Sequence, residues 1–170
     1  GYEDWQVPWK KQVETIADAV GKEDEGDKLI DDTEKAFEEF RHEHAELQDK
    51  SAAIVMPYDG KIGLYTEEDG RGQFIEDLGM EIPDALQGDG GSFFVDIAPE
   101  NYAKLNQVDY LFVLDYDGSS AVLKKDKTFQ GLDIVKDGRV RYLDTDTGNA
   151  MSMPNPVTIP WAVDKFEEKL

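Results

Sequence analysis

The sequence predicts an α/β domain, a three-layer sandwich with a mostly parallel central sheet, preceded by a long connecting helix. Three observations predict it. Residues 9–48 carry apolar side chains at helical spacing. From Ser51 onward, short strand-like runs alternate with helical ones. Residues 110–114 are apolar or aromatic throughout, as in a strand covered on both faces. The chain therefore divides into a helical region, 1–50, and an α/β lobe, 51–170.

Pro8 opens the first helix. Trp9, Val13, Ile16, Ala17 and Val20 follow at helical spacing, and Gly21 supplies the stop. Residues 23–48 form the second, with Leu29, Ile30, Thr33, Phe37, Phe40, His44 and Leu47 on one stripe. Twenty-six residues reach about 39 Å, long enough to bridge two bodies. Residues 52–57 form a buried strand, and 61–66 a second one entered through Tyr58-Asp59-Gly60. Residues 72–78 read as a helix stopped by Gly79. An extended stretch at 92–96 leads to a short helix at 99–105, with Pro99 first and Glu100 in its opening turn. After the strand at 110–114 come a short helix (127–135), a last strand (139–143) and a closing helix (160–170).

Composition narrows the function. The 170 residues hold 38 acids against 18 bases, a net charge of −20. Such a surface repels phosphate backbones and anionic headgroups, so no nucleic acid partner is expected. There is no cysteine, hence no disulfide, thiolate nucleophile or cysteine zinc site. No apolar run approaches the roughly 18–20 residues of a membrane span. The start carries no signal-peptide or lipidation pattern. Gly1, followed by an acidic, aromatic stretch, reads as a cleavage boundary with a segment upstream.

No catalytic constellation stands out. His42 and His44 are two apart on a helix and do not share a face. Ser119-Ser120 lacks a nucleophile-elbow pattern, and neither a Walker A motif nor a spaced GxGxxG occurs. The run 144–149 is similar to a calcium loop, with Asp144 and Asp146. However, Gly148 comes one position early and no glutamate follows, so a polar loop and no metal are expected. Asp69-Gly70-Arg71-Gly72 lies between a strand and a helix, where loops at the C-terminal edge of a parallel sheet line ligand crevices.

Read in order, several stretches resemble the iron–siderophore binding proteins of bacterial ABC importers. Trp9-Lys10-Lys11-Gln12, Ile16-Ala17 and Gly21-Lys22 are similar to that family's approach to its long inter-lobe helix, which Asp27-Lys28-Leu29-Ile30 would open. Residues 72–79 resemble its G-x-L-L-E-x-L-G helix, 97–102 its V-S-x-E-x-L segment, and 108–112 the strand after it. Residues 135–140 are similar to VK-x-G-R-V, and 155–164 to SPLSIPWxLD. Ala98 departs from the family's capping serine, and 144–153 has no clear counterpart.

The resemblance implies the second half of a two-lobed protein, its own N-terminal lobe expected before Tyr2. It implies an extracytoplasmic protein, periplasmic or lipid-anchored to the outer face of the cell membrane. The protein would have no intrinsic cofactor and no enzymatic step. It would hold a ferric siderophore between the lobes and deliver it to the membrane permease. Glu100 matches the carboxylate that docks on the permease. Tyr65, Arg71, Phe93, Phe94, Tyr116 and Met151 are the candidate ligand residues, a mixture of aromatic and polar groups suited to a bulky chelate. Two alternatives stay open: a haem- or cobalamin-binding relative, with Tyr65 or Tyr116 as haem ligand, and a calcium-binding surface module using Asp144 and Asp146. Arg71 and Lys61 are the cations near the candidate loops, which favours a neutral or cationic ferric hydroxamate over a triply anionic catecholate.

Overall fold

The computed structural model describes residues 6–88 and 91–170. The expected cleavage boundary at Gly1, and Tyr2 before which a further lobe is expected, lie outside them. Helix α1 (Trp9–Val20) follows Pro8 and stops at Gly21, whose φ of 67° is a left-handed conformation that glycine adopts without a Cβ penalty. Helix α2 (Glu23–Glu43) opens on three acids, Glu23, Asp24 and Glu25, at its positive dipole end. Its 21 residues span about 32 Å. It ends five residues short of the expected 48. At His44 the backbone leaves the helix (φ −115°, ψ 51°), and Ala45–Leu47 tighten into a 3-10 turn. The turn keeps Leu47 buried while redirecting the chain toward the sheet.

The sheet holds β1 (Ala52–Tyr58), β2 (Lys61–Tyr65), β3 (Phe94–Ile97), β4 (Tyr110–Asp115) and β5 (Val140–Asp144) in the order β3-β2-β1-β4-β5. β1 runs parallel to β4, with Ile54 opposite Phe112, and β4 runs parallel to β5. β2 is antiparallel to both neighbours: Tyr65 lies opposite Ile54 of β1 and Phe94 of β3. Four strands therefore share one direction and β2 opposes them. The two-residue turn Asp59-Gly60, both at positive φ, joins β1 to β2 and can only make a hairpin.

Alternation along the strands divides the core. Ile54, Tyr65, Phe112 and Leu114 face a layer built from α2, α3 (Gly70–Asp77), α7 (Thr145–Ser152) and α8 (Thr158–Glu167). Phe166 of α8 centres this side, its ring 4.5 Å from Phe112 and 6.1 Å from both Phe40 and Phe74. Ala53, Val55, Ile62, Leu64, Leu111 and Val113 face the opposite layer. That layer holds a 3-10 helix (Pro99–Gln107) and three short helices, α4 (Ala121–Lys125), α5 (Lys127–Gln130) and α6 (Asp133–Lys136). The expected helix over 127–135 is thus two, broken at Gly131 and Leu132. No helix among the described residues is long and apolar enough to cross a membrane.

Candidate ligand-binding site

Glycine at position 63 creates the first part of the site. A Cβ there would fall 1.8 Å from Phe94 Cζ, so the Phe94 ring lies directly over the bare backbone of β2. Tyr65 meets that ring edge-on at 5.3 Å, while Tyr58 at 5.4 Å and Phe93 at 6.2 Å are tilted against it. Phe93 is exposed, Phe94 and Tyr58 are half-buried, and Tyr65 is buried. A cation adjoins each of the two tyrosines of this aromatic strip. Lys61 Nζ lies 5.4 Å from the Tyr58 centroid, and the Arg71 guanidinium carbon 4.1 Å from that of Tyr65.

Both cations are already paired. Lys61 bonds Asp96 at 2.6 Å, and Tyr58 donates to the same carboxylate. Arg71 Nη1 donates to both oxygens of Asp69, at 2.9 and 3.1 Å. Asp69 is also the N-cap of α3, accepting the Arg71 backbone N–H at 2.8 Å. Its side chain is 1% exposed, against 13% for Arg71. Burial pushes the Asp69 carboxyl up, opposed by the guanidinium beside it. Burial pulls Arg71 down, but Asp69, Tyr65 and Tyr116 together carry it above its ordinary value, so it holds its proton. Burial likewise raises the Tyr65 phenol against the pull of Arg71.

The Arg71 loop does not sit at the expected edge. It leaves β2, the reversed strand, and so emerges where β1, β3 and β4 begin. Its side chain lies across the Tyr65 ring, on the face of the sheet. Tyr116, just past β4, sits close enough to influence Arg71 and packs its hydroxyl against Gly148 of α7, where a Cβ would be 2.9 Å away. The Tyr116 hydroxyl and Arg71 Nε make no hydrogen bond within the described residues.

Of the six expected ligand residues, the structure gathers Tyr65, Arg71, Phe93, Phe94 and Tyr116 in one region. Met151 is a correction: it is fully buried in the core beneath α7 and offers a ligand no surface. Tyr58 and Asp69 belong to the cluster and were not expected. Tyr58 stood at the hairpin turn, and Asp69 immediately before Gly-Arg-Gly at a helix start, which is an N-cap position. Glu100 is exposed in the first turn of the 3-10 helix after β3, beyond the opposite end of that strand from Phe94. As expected from Ala98, no side chain caps that turn.

Residues 145–152 are a helix, α7, and not a loop. Asp144 accepts the Thr147 N–H at 2.9 Å as its N-cap, and Asp146 sits in the first turn. Asp144 is thereby committed to the helix end. Among the described residues no three or more His, Cys, Asp or Glu side chains converge for a metal ion. Tyr65, considered as a haem ligand, is 6% exposed and points its hydroxyl at Met56 Sδ, 3.8 Å away. His44 packs on Phe40 and contacts Glu167 at 2.9 Å, a link between the end of α2 and α8.

A paired cation on an aromatic strip, on a lobe reached through a long helix, fits a solute-binding protein, and sequence comparison agrees. Residues 1–147 match the periplasmic binding protein family, and the chain belongs to it. Two solved structures of the iron uptake ABC transporter substrate-binding protein PiaA from Streptococcus pneumoniae are 27% identical to it. The first superposes with a TM-score of 0.79, covering 96% of this chain and 58% of PiaA. The second, in complex with ferrichrome, gives 0.80, covering 96% and 57%. SirA from Staphylococcus aureus, 21% identical, shares the fold with a TM-score of 0.76, covering 99% of this chain and 66% of SirA. The chain thus spans somewhat over half the length of PiaA. No curated protein sequence matches it.

Proposed function

We propose that this chain is the C-terminal lobe, with its connecting helix, of an extracytoplasmic substrate-binding component of an ABC importer that binds a ferric siderophore. The observation that carries the reading is the 27% identity, over 96% of the chain, to a protein solved with ferrichrome bound. The half-buried rings of Tyr58 and Phe94, backed by buried Tyr65 and with Phe93 and Tyr116 beside them, supply flat apolar surface for a bulky chelate. Arg71 supplies donors for its oxygens. The partner lobe closes the other side of the cleft. The family is one of solute-binding proteins, and the reading assigns no catalytic step to any residue.

Glu100 serves the handover. An exposed carboxylate in a first helical turn docks a permease arginine at little cost to the free protein. The test uses the two-lobed protein that carries this chain. Ferrichrome should quench its tryptophan fluorescence saturably, and haem should give no Soret shift. A Soret band without ferrichrome binding would overturn the reading. Glu100→Ala should impair uptake in cells while leaving ferrichrome affinity nearly unchanged. Equal loss of both would place Glu100 in the cleft instead.

A further inference from the structure

Resting on the siderophore-binding reading, we infer that Asp69 is a specificity-determining residue: it cancels the charge of Arg71 and so restricts the site to ferric chelates without net negative charge. Three observations lead there. Asp69 is buried and grips Arg71 through both carboxylate oxygens, so the pair presents no net charge to a ligand. The other cation of the strip, Lys61, is spent in the same way on Asp96. Yet the Arg71 guanidinium keeps donor capacity, because Asp69 engages it through Nη1 alone.

The result is a site of hydrogen-bond donors and aromatic rings without net positive charge. A neutral hydroxamate chelate, whose outward oxygens are acceptors, needs donors and apolar contact. A triply anionic tris-catecholate needs uncompensated cations to offset its desolvation. Here each of the two cations is already paired with an acid. Asp69 has a structural duty as well, since it caps α3. The cap needs only a side-chain oxygen, not a charge. That separates the two roles experimentally.

Asp69→Asn keeps the cap and removes the charge, and Asp69→Ser, which also caps, is the second variant should the first fail to fold. Both are made in the two-lobed protein and titrated by fluorescence with two probes, neutral ferrichrome and triply anionic ferric enterobactin. The wild type should prefer ferrichrome. In the variants the ratio of the two dissociation constants should move toward the anion by roughly tenfold or more, as expected for a unit charge exposed near the ligand. Asp69→Glu, which keeps the charge, should leave the ratio in place. Asp96→Asn, which changes net charge equally but farther from Arg71, should move it less. A merely structural role for Asp69 would weaken both probes together and leave the ratio unchanged, and that result overturns the inference. If the wild type binds ferrichrome but the ratio does not respond, only the role of Asp69 falls. If the wild type binds neither chelate, the siderophore reading falls with it.

Discussion

Gly26 lies against Ala17 in the contact between α1 and α2, near the turn that joins them, and replacing it with alanine sets two effects of opposite sign against each other. Alanine in a helix interior gains roughly 0.5–1 kcal/mol over glycine. Against this, the new Cβ would lie 2.5 Å from Ala17 Cβ, where carbon atoms normally approach to about 3.5–4.0 Å. Ala17 has no rotamer with which to yield, so the helices must separate by about 1 Å or more. α1 is held at its start by Trp9, which is 3% exposed and donates its indole N–H to Asp77 at 3.3 Å, and by the Lys10–Glu34 ion pair. Overpacking of this kind costs roughly 1–3 kcal/mol. The clash wins, and the net loss should be about 1–2 kcal/mol, read as a lower urea midpoint at unchanged slope and a melting temperature lower by roughly 2–8 °C. Ala17→Gly should rescue Gly26→Ala, giving a favourable coupling of about 1 kcal/mol in a double-mutant cycle. If Gly26→Ala stabilises the chain by the full propensity gain, the two helices do not pack as described.

Asp144→Ala should cost about 1 kcal/mol through loss of the α7 cap, while Asp144→Asn retains most of it. The Thr147 backbone N–H holds the Asp144 carboxyl below its usual range. The charge-dependent part of its stabilisation is therefore present above the unfolded carboxylate value and disappears as pH falls through the depressed folded value. Urea titrations of wild type and Asp144→Asn at pH 7 and pH 3 should draw together at the lower pH, and a constant gap would show that the Asp144 charge adds nothing to the cap. Glu76 behaves oppositely: partial burial, then Glu67 and Asp77, push its carboxyl up to about 7. Its folded value exceeds the unfolded one, so the wild type loses stability as pH rises from about 4.5 to 7. Glu76→Gln should stabilise at pH 8 and do nothing at pH 5, by less than about 1 kcal/mol because the side chain is partly solvated. Equal effects at both values would show that the carboxyl titrates normally.

Much of this architecture was legible in the sequence, and the exceptions have physical causes. The uniform apolarity of 110–114 marked the interior strand β4 because both its faces are covered. The stripe through Phe37 and Phe40 marked α2, but His44 and Leu47 remain on that stripe beyond the end of the helix, so periodicity alone overran the break. α7 escaped because Thr-Asp-Thr-Gly-Asn has no apolar stripe; only Asp144, three residues before Thr147, announced it. The reversal of β2 was written in Asp59-Gly60, a turn too short for any parallel crossover. At the site, Arg71 was conspicuous as a cation in an acidic chain. Asp69 was not, because one acid among 38 looks solvated until the fold buries it. Met151 looked available only because its helix was expected to be a loop.

On the proposed reading this chain forms one wall of a chelate-binding cleft. The most direct measurement is a parallel titration of ferrichrome into the 170-residue chain and into the two-lobed protein that carries it, followed by tryptophan fluorescence. Enclosure from both sides should make the two-lobed protein bind roughly a hundredfold or more tightly than the chain alone. Nanomolar binding by the isolated chain, or no binding by the two-lobed protein, would contradict the account.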